Sequence, residues 1–469
     1  MSERRTYHIC LIVDNPLRDI DGLVLLAWQL AQNGHTVYLT PMYDQGFDIL
    51  ALMPDMVVAN YARPNNIELL SRFHNAGIAI AILDTEGSPG RDMEKFAKMV
   101  GQTGIGEFVS LYCMWGHEQF SAFHAQGSVP ESIMSITGCP RYDYCVAPLR
   151  TTLRAPEVSS EYVLINTSFP IANPRFTRNS EDEYKTMISI GFDKDFATEY
   201  VKDVTLVYEQ TKEIIRQLVE AFPDVFFVLR PHPFENPKGY IDAIRMPNFE
   251  VRQERTSIEW LNHAKLLIHL NCITSIESMM LDVESVSLEW INTHNLVAQG
   301  PPLNVSHQME GMSDFLQTVE SVLKGDKLLL SDETEYARSE IINNRYYKID
   351  GFSALRVSNA IERTLKNLGN CKVNFPKLKI GFNLRQILGN LLGYRLFHFL
   401  IKKIRILFRL PSNNERKQAK LFSKEQVKEK IDVISTAYNS STKIHVNFPE
   451  KKELVSPHLF SGNSIKISR

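Results

Sequence analysis

The chain has 469 residues, of which 44% are apolar and 23% charged, and a net charge of −2. That length is too great for one ordinary core, so two or three domains are expected. The composition is ordinary for a soluble globular protein, and the near-neutral charge gives no global steering toward nucleic acid. Six cysteines (Cys10, Cys113, Cys139, Cys145, Cys272 and Cys371) are scattered without a Cys-x-x-Cys pair. Zinc-finger and redox spacing are therefore absent, and a disulfide framework is not expected. The first residues, "MSERRTYHICLIVD", lack the long apolar run and small-residue cleavage site of a signal peptide. No uninterrupted apolar run reaches the ~18 residues of a transmembrane helix. A reducing, cytoplasmic setting is the default expectation.

Short apolar runs alternate with helix-like segments through the first two thirds. "HICLIVD" (8–14) reads as a buried strand, and "DGLVLLAWQLAQNG" (21–34) as a helix ended by Asn33-Gly34. "HTVYLTP", "DMVVAN" (55–60), "IAIAILD" (78–84), "LYCMWG" (111–116) and "SIMSITG" (132–138) continue the strand series. After a proline-containing break the series restarts with "EYVLINTSF" (161–169). A helix near 203–221 and strands "VFFVLRP" (225–231), "KLLIHL" (265–270) and "SVSLEW" (285–290) follow. Fully apolar strands alternating with helices predict parallel sheets covered on both faces. Two such α/β domains suggest a cleft between them, with ligands at the carboxyl ends of the strands.

The tail differs. From Cys371 to Asn414 there is no Asp or Glu, while Lys372, Lys377, Lys379, Arg385, Arg395, Lys402, Lys403, Arg405 and Arg409 alternate with Leu, Ile and Phe. That is the composition of a helix lying on an anionic membrane surface, or of one docking on its own protein. Beyond residue 415 the chain is charged, low in aromatics and expected to be partly disordered.

Four polar groupings fall at predicted strand ends. In "RPHPFE", Arg230 and His232 follow an apolar run, and Pro231 and Pro233 restrict the backbone around the imidazole. A cation and an N–H donor there suit a phosphate oxygen, or else the histidine merely bonds a carbonyl. In "HLNCITSIESMMLD" (269–282), Thr274 and Glu277 have capping-box spacing, and the Thr274 and Ser275 hydroxyls at a helix start also suit an anion. In "LDTEGSPG" (83–90), Asp84 and Glu86 are turn residues or carboxylates available as base or nucleophile. In "VLINTSFP" (163–170), Asn166, Thr167 and Ser168 close a strand. "TGCPRYD" (137–143) reads as structural, with Arg141 and Asp143 pairing. P-loop, dinucleotide-binding, Gly-x-Ser-x-Gly and His-Glu-x-x-His patterns are absent.

"LDTEG", "LINTSF", "RPHPFE" and "LNCITSIESMMLD", in that order, resemble the bacterial surface carbohydrate biosynthesis proteins. These are GT-B glycosyltransferases similar to the Kdo transferases of capsule and lipopolysaccharide assembly and, more distantly, to bacterial sialyltransferases. The resemblance spans roughly residues 5–345. It implies an α/β, GT-B-like fold: two Rossmann-type domains facing a cleft, plus a basic α-helical C-terminal tail. The boundaries would be 1–148 for the acceptor-side domain, 149–160 for a linker, 161–368 for the donor-side domain and 369–469 for the tail. It implies that Glu86 or Asp84 is the catalytic carboxylate. It also implies that Arg230, His232, Pro233, Asn166, Thr167, Ser168, Thr274, Ser275 and Glu277 hold the donor nucleotide. "NCITS" departs from the family in carrying Cys272-Ile273.

The expected activity is transfer of a sugar, such as CMP-activated Kdo or a related ulosonic acid, to a growing surface glycan. No cofactor and no metal are expected, and no nucleic acid. The acceptor would be a glycan or lipid-linked glycan. Residues 371–414 would hold the chain on the inner face of the cytoplasmic membrane. The carboxylate would act as a base in an inverting path or as a nucleophile in a retaining one. A polyol-phosphate transferase of the teichoic-acid type is the alternative enzyme, and a non-catalytic scaffold of the same fold the alternative to an enzyme.

Overall fold

The computed structural model describes residues 5–85, 92–158, 161–189, 192–292, 300–369, 377–379, 383–408 and 414–469. Its strands are β1 (His8–Val13), β2 (Thr36–Pro41), β3 (Met56–Ala59), β4 (Ala79–Ile82), β5 (Leu111–Met114), β6 (Met134–Ile136), β7 (Tyr162–Asn166), β8 (Phe226–Arg230), β9 (Phe249–Val251), β10 (Ala264–His269), β11 (Ser285–Ser287), β12 (His307–Gln308), β13 (His445–Asn447) and β14 (Ile465–Ser468). The helices used below are α1 (Pro16–Gln32), α2 (Gln45–Leu52), α3 (Lys194–Ala221), α4 (Ser257–Leu261), α5 (Thr274–Met280), α6 (Ser353–Leu368), α7 (Leu384–Leu407) and α8 (Lys424–Ala437).

The chain divides into two compact units, one of residues 1–152 with 342–469, the other of residues 153–341. Each is built on a largely or wholly parallel sheet, which is the α/β class expected, and the C-terminal region is largely helical. In the first unit the strand order is β13-β14-β2-β1-β3-β4-β5-β6, with β14 antiparallel to β2. Strands β3, β4 and β5 are buried at every position, as continuous apolar strands between helical layers must be. In the second unit the order is β12-β11-β10-β7-β8-β9, all parallel. α1 begins at Pro16, five residues before its apolar stripe suggests, because Asn15 caps it and Pro16 suits the first helical position.

Two expectations about the second half of the chain are corrected. Residues 342–368, assigned to the second domain, belong to the first unit. There α6 buries Ala354, Val357, Ile361 and Leu365. Asp143 accepts the Ser353 and Ala354 N–H groups at 2.9 and 2.8 Å and so caps α6 instead of pairing with Arg141. The segment beyond 415, expected to be partly disordered, is built into the same unit. α8 buries Val427, Ile431 and Ile434, and β14 buries Ile465 and Ile467 against β2. Its lysines are partners of buried carboxylates: Lys417 of Asp44, Lys420 of Asp14, Lys430 of Asp21. A composition that reads as solvated is here the counter-charge of the core's edge.

Burial pushes the carboxyls of Asp48 and Asp143 up to about 6, against the hydrogen bonds from Ser461 and Ser464 and from the α6 N-terminus. The folded chain therefore keeps protons that the unfolded chain has released between pH ~4 and ~6, and these groups lower the unfolding free energy as pH rises through that window. Each contributes on the order of 3 kcal/mol. In urea unfolding from about pH 4 to about pH 6.5, Asp48→Asn is expected to remove about one proton from the slope of stability against pH. An unchanged slope would show that Asp48 is ionised throughout.

Candidate functional site

In the second unit, successive strands leave β7 in opposite directions: β8 and β9 to one side, β10 to β12 to the other. The loops after β7 and β10 therefore diverge and open a crevice at the carboxyl edge, the place where sheets of this order bind ligands. Strand register sets the residues there. Asn166 ends β7 and pairs with Arg230 of β8 on one side and His269 of β10 on the other. The last row of the sheet is thus Arg230–Asn166–His269, with adjacent strands ~4.8 Å apart.

Two polar atoms in this row have unspent hydrogen-bonding capacity. Asn166 is buried and its Nδ2 donates to Thr274 Oγ1 at 2.9 Å, but its Oδ1 has no partner among the described residues. Arg230 donates from one terminal nitrogen to the Arg255 carbonyl at 2.9 Å and lies 5.9 Å from the Trp260 ring centroid. Its Nε is buried without a partner among the described residues. Burial lowers its pKa to about 10, against the pull of Glu277 and Glu254, so it remains a cation at neutral pH. A cationic donor beside a neutral acceptor, both desolvated, suits a ligand carrying an anion and a hydroxyl or amine.

The turn after β8 explains the imidazole between prolines. Glu235 N–H donates to the His232 carbonyl at 2.8 Å, and His232 N–H donates back to Glu235 Oε1 at 3.0 Å. Phe234 N–H donates to His232 Nδ1 at 3.2 Å, so the neutral ring carries its proton on Nε2. Pro233 is half-buried beside it. Glu235 is fully buried and also accepts the Thr167 hydroxyl at 3.1 Å and the Tyr240 hydroxyl at 2.6 Å. Burial pushes its carboxyl up to about 6, and those donors hold it down. One carboxylate therefore ties the loop after β7 to the loop after β8. The loops are further joined by Arg175 N–H to the Phe234 carbonyl and Asn236 N–H to the Asn173 carbonyl, at 2.9 and 3.0 Å. Sequence reasoning missed Glu235; its place three residues after His232 in a proline-flanked turn was the available signal. Thr167 is engaged by Glu235, while Ser168 is exposed at the same edge.

The loop after β10 is corrected in its local chemistry. Thr274 does not cap a helix: Ile273 occupies the N-cap with no side-chain bond, and α5 runs for only seven residues. Thr274 instead accepts from Asn166 and donates to Cys272 Sγ at 3.2 Å. Glu277, buried, accepts from Ser257 Oγ of α4 at 2.5 Å rather than closing a capping box. Ser275 is fully buried, its hydroxyl shared between the Cys272 and Pro302 carbonyls at 3.1 and 3.0 Å. His269 accepts the Cys272 N–H on Nδ1 and bonds Ser306 Oγ through Nε2 at 2.9 Å; burial pushes it down to about 3, so it stays neutral. Thr274, Ser275 and Glu277 thus come together as supports of the crevice, with Cys272 part of that frame.

In the first unit, Asp84 follows β4. It is buried and accepts from Tyr112 Oη at 2.8 Å and Gln119 Nε2 at 3.0 Å, and burial beside it lifts the Tyr112 phenol well above its ordinary value. Glu86 lies outside the described residues. At the same edge, Arg18 forks onto Asp19 at 2.6 and 3.0 Å and reaches Asp14 at 2.9 Å, and Lys420 meets Asp14 at 2.9 Å. Against burial, which would raise it, Arg18 and Lys420 hold the Asp14 carboxyl below the usual range. Lys420 comes from a segment no local motif connects to β1. Among the described residues, no three His, Cys, Asp or Glu are grouped to hold a metal ion.

No family model and no curated protein sequence matches the chain. Solved structures do. S. aureus MnaA with UDP is 12% identical, covering 77% of this chain and 97% of that one at a TM-score of 0.46. UDP-GlcNAc 2-epimerase of Methanocaldococcus jannaschii, in complex with UDP-GlcNAc and UDP, is 12% identical over 76% of this chain and 99% of its own, at 0.45. The wall teichoic acid polymerase TagF, in a CDPG soak, is 12% identical over 67% of this chain and 73% of its own, at 0.41. At these levels the likeness lies in the path of the chain, and no residue role is carried across.

Proposed function

We propose that the chain is a glycosyltransferase whose second unit binds a nucleotide-sugar donor, a CMP-activated Kdo or related ulosonic acid, for addition to a membrane-bound surface glycan on the cytoplasmic side. The observation that carries the reading is the pair of buried, unspent groups at the strand reversal, Arg230 Nε and Asn166 Oδ1. When CMP leaves, negative charge grows on its phosphate. Arg230 and the Nε2–H of His232 are suited to receive that charge, and a desolvated, prearranged cation does so at low reorganisation cost. Asn166 Oδ1 would accept from a hydroxyl or amine of the donor. Pro233 and the Glu235 turn would hold the imidazole, and Thr274, Ser275 and Glu277 the frame behind it. Asp84, already bonded to Tyr112 and Gln119, suits an orienting carboxylate, which leaves Glu86 as the proposed reacting one.

Calorimetric titration with CMP, CDP, UDP and GDP tests this. CMP is expected to bind, and Arg230→Met to weaken it by about a hundredfold, the loss of one charge-assisted contact to a phosphate. Glu86→Gln is expected to keep CMP affinity and lose turnover of CMP-Kdo. Binding of UDP alone would overturn the CMP reading. Binding of no nucleotide would overturn the enzyme reading. Full turnover in Glu86→Gln would remove that residue from the chemistry.

A further inference from the structure

Helix α7 is attached to the first unit in an unusual way. Its buried positions are Gly389, Gly393 and Phe397, one narrow seam at four-residue spacing. Along that seam Phe397 meets Phe47 of α2 at 5.6 Å between ring centroids. Tyr394 Oη donates to buried Asp44 at 2.9 Å, and Lys417 closes on the same carboxylate at 2.8 Å. Gly393 is the bend: its φ of 76° is left-handed, and a Cβ there would lie 2.6 Å from the His458 carbonyl oxygen. The bend divides α7 into two arms held by their junction.

Outside the seam the helix is inverted relative to a core-packing one. Leu391 is 75% exposed, Leu407 76% and Phe408, just past its end, 67%, with Leu388, Phe399 and Ile404 also facing out. Among the same outward positions stand Arg385, Arg395, Lys402 and Lys403. The stretch 371–414 contains no acidic residue at all. Among the described residues no helix is long and apolar enough to cross a membrane. Apolar side chains flanked by cations that meet no carboxylate among the described residues, Lys403 lying 5.6 Å from the Phe399 ring centroid, on a helix too basic to span, match a surface with an apolar interior and a negative face.

We propose that α7 lies in the plane of an anionic lipid surface, both arms embedding their outward Leu, Ile and Phe side chains while Arg385, Arg395, Lys402 and Lys403 meet the headgroups. This gives residue-level content to the membrane-side part of the functional reading and rests on it, but not on which nucleotide is used. The seam through Asp44, Tyr394, Phe397 and Lys417 carries the load between membrane and protein. Point changes on the arms therefore test it, and deletion of the tail does not, because that would also remove β14.

The test is vesicle flotation of the full chain with phosphatidylcholine alone and with phosphatidylcholine–phosphatidylglycerol mixtures. The chain is expected to float with the anionic vesicles only, and less so at high salt. Lys402→Gln with Lys403→Gln should weaken binding about 25-fold, from roughly fivefold per cation. Phe399→Asp with Leu407→Asp should abolish it, with melting unchanged because both side chains are exposed. Wild-type chain that stays in the aqueous layer overturns the proposal. So do arm variants that float as wild type, or a wild-type dimer that the same Asp changes dissociate while no vesicle binding is seen. CMP titration of the wild-type chain separates the two readings: absence of CMP binding would sink the donor assignment and leave the lipid result standing.

Discussion

Glu235→Leu is expected to lower the unfolding free energy by about 3–5 kcal/mol, and Glu235→Gln by only about 1–2, with the milder variant still weakening CMP binding roughly tenfold. The difference follows from the donors around the carboxylate. His232 N–H is a backbone group and cannot turn away, whereas the Thr167 and Tyr240 hydroxyls can rotate to accept from an amide. Glutamine can therefore keep its oxygen on His232, and leucine leaves that N–H unpaired in a buried turn. Urea unfolding measures the stability difference. The positioning effect has its own readout in the imidazole nitrogen shifts of His232. The wild type should show a ring protonated on Nε2 alone, and Glu235→Leu, which frees the turn that holds Phe234 N–H on Nδ1, a mixture of tautomers. If Glu235→Leu is as stable as wild type, binds CMP equally well and leaves the ring signature intact, Glu235 is a bystander.

The second large effect concerns the C-terminal segment. Removing residues 424–469 is expected to abolish the cooperative unfolding of the first unit. Val427, Ile431, Ile434, Ile465 and Ile467 are each no more than 1% exposed. Fully burying a side chain of this kind stabilises by about 1.5–3 kcal/mol. Together they amount to roughly the whole 5–15 kcal/mol by which a domain is stable. The loss also takes Lys430 from buried Asp21 and bares the edge of β2. Ile467→Asp, placing one carboxylate on that edge's buried face, should cost about 3–5 kcal/mol by itself. Thermal melting followed by near-ultraviolet circular dichroism is the measurement. A truncated chain that melts within a few degrees of the full one would show β14 to be an ornament on the sheet.

What could be read from the sequence was whatever depended on period and position. Apolar runs announced β1, β3, β4, β7, β8 and β10, and polar residues at their ends announced Arg230 and Asn166. What could not be read was partnership. The apolar stripe of α6 says that one face is buried but not against which sheet, so by sequence alone residues 342–368 go with their neighbours in the chain. Lys417, Lys420 and Lys430 look like solvated charges until Asp44, Asp14 and Asp21 are seen beneath them. Thr274 and Glu277 have the spacing of a capping box, yet Asn166 and Ser257 outcompete the helix's own N–H groups for them. Glu235 is invisible as a site residue because the partners of its side chain, His232, Thr167 and Tyr240 among them, come from different elements.

The pairing of β14 with β2 has a consequence for the order of events during synthesis. Val37 and Ile467 are partners across the sheet, and the whole of the second unit lies between them in the chain. Contacts so far apart form late, because the intervening loop must be closed first. As the chain is made from its N-terminus, residues 153–341 are a contiguous stretch and can complete their own sheet while β2 still waits, edge bare, for its last neighbour. The unit that holds β1 and β2 is therefore the second to finish folding.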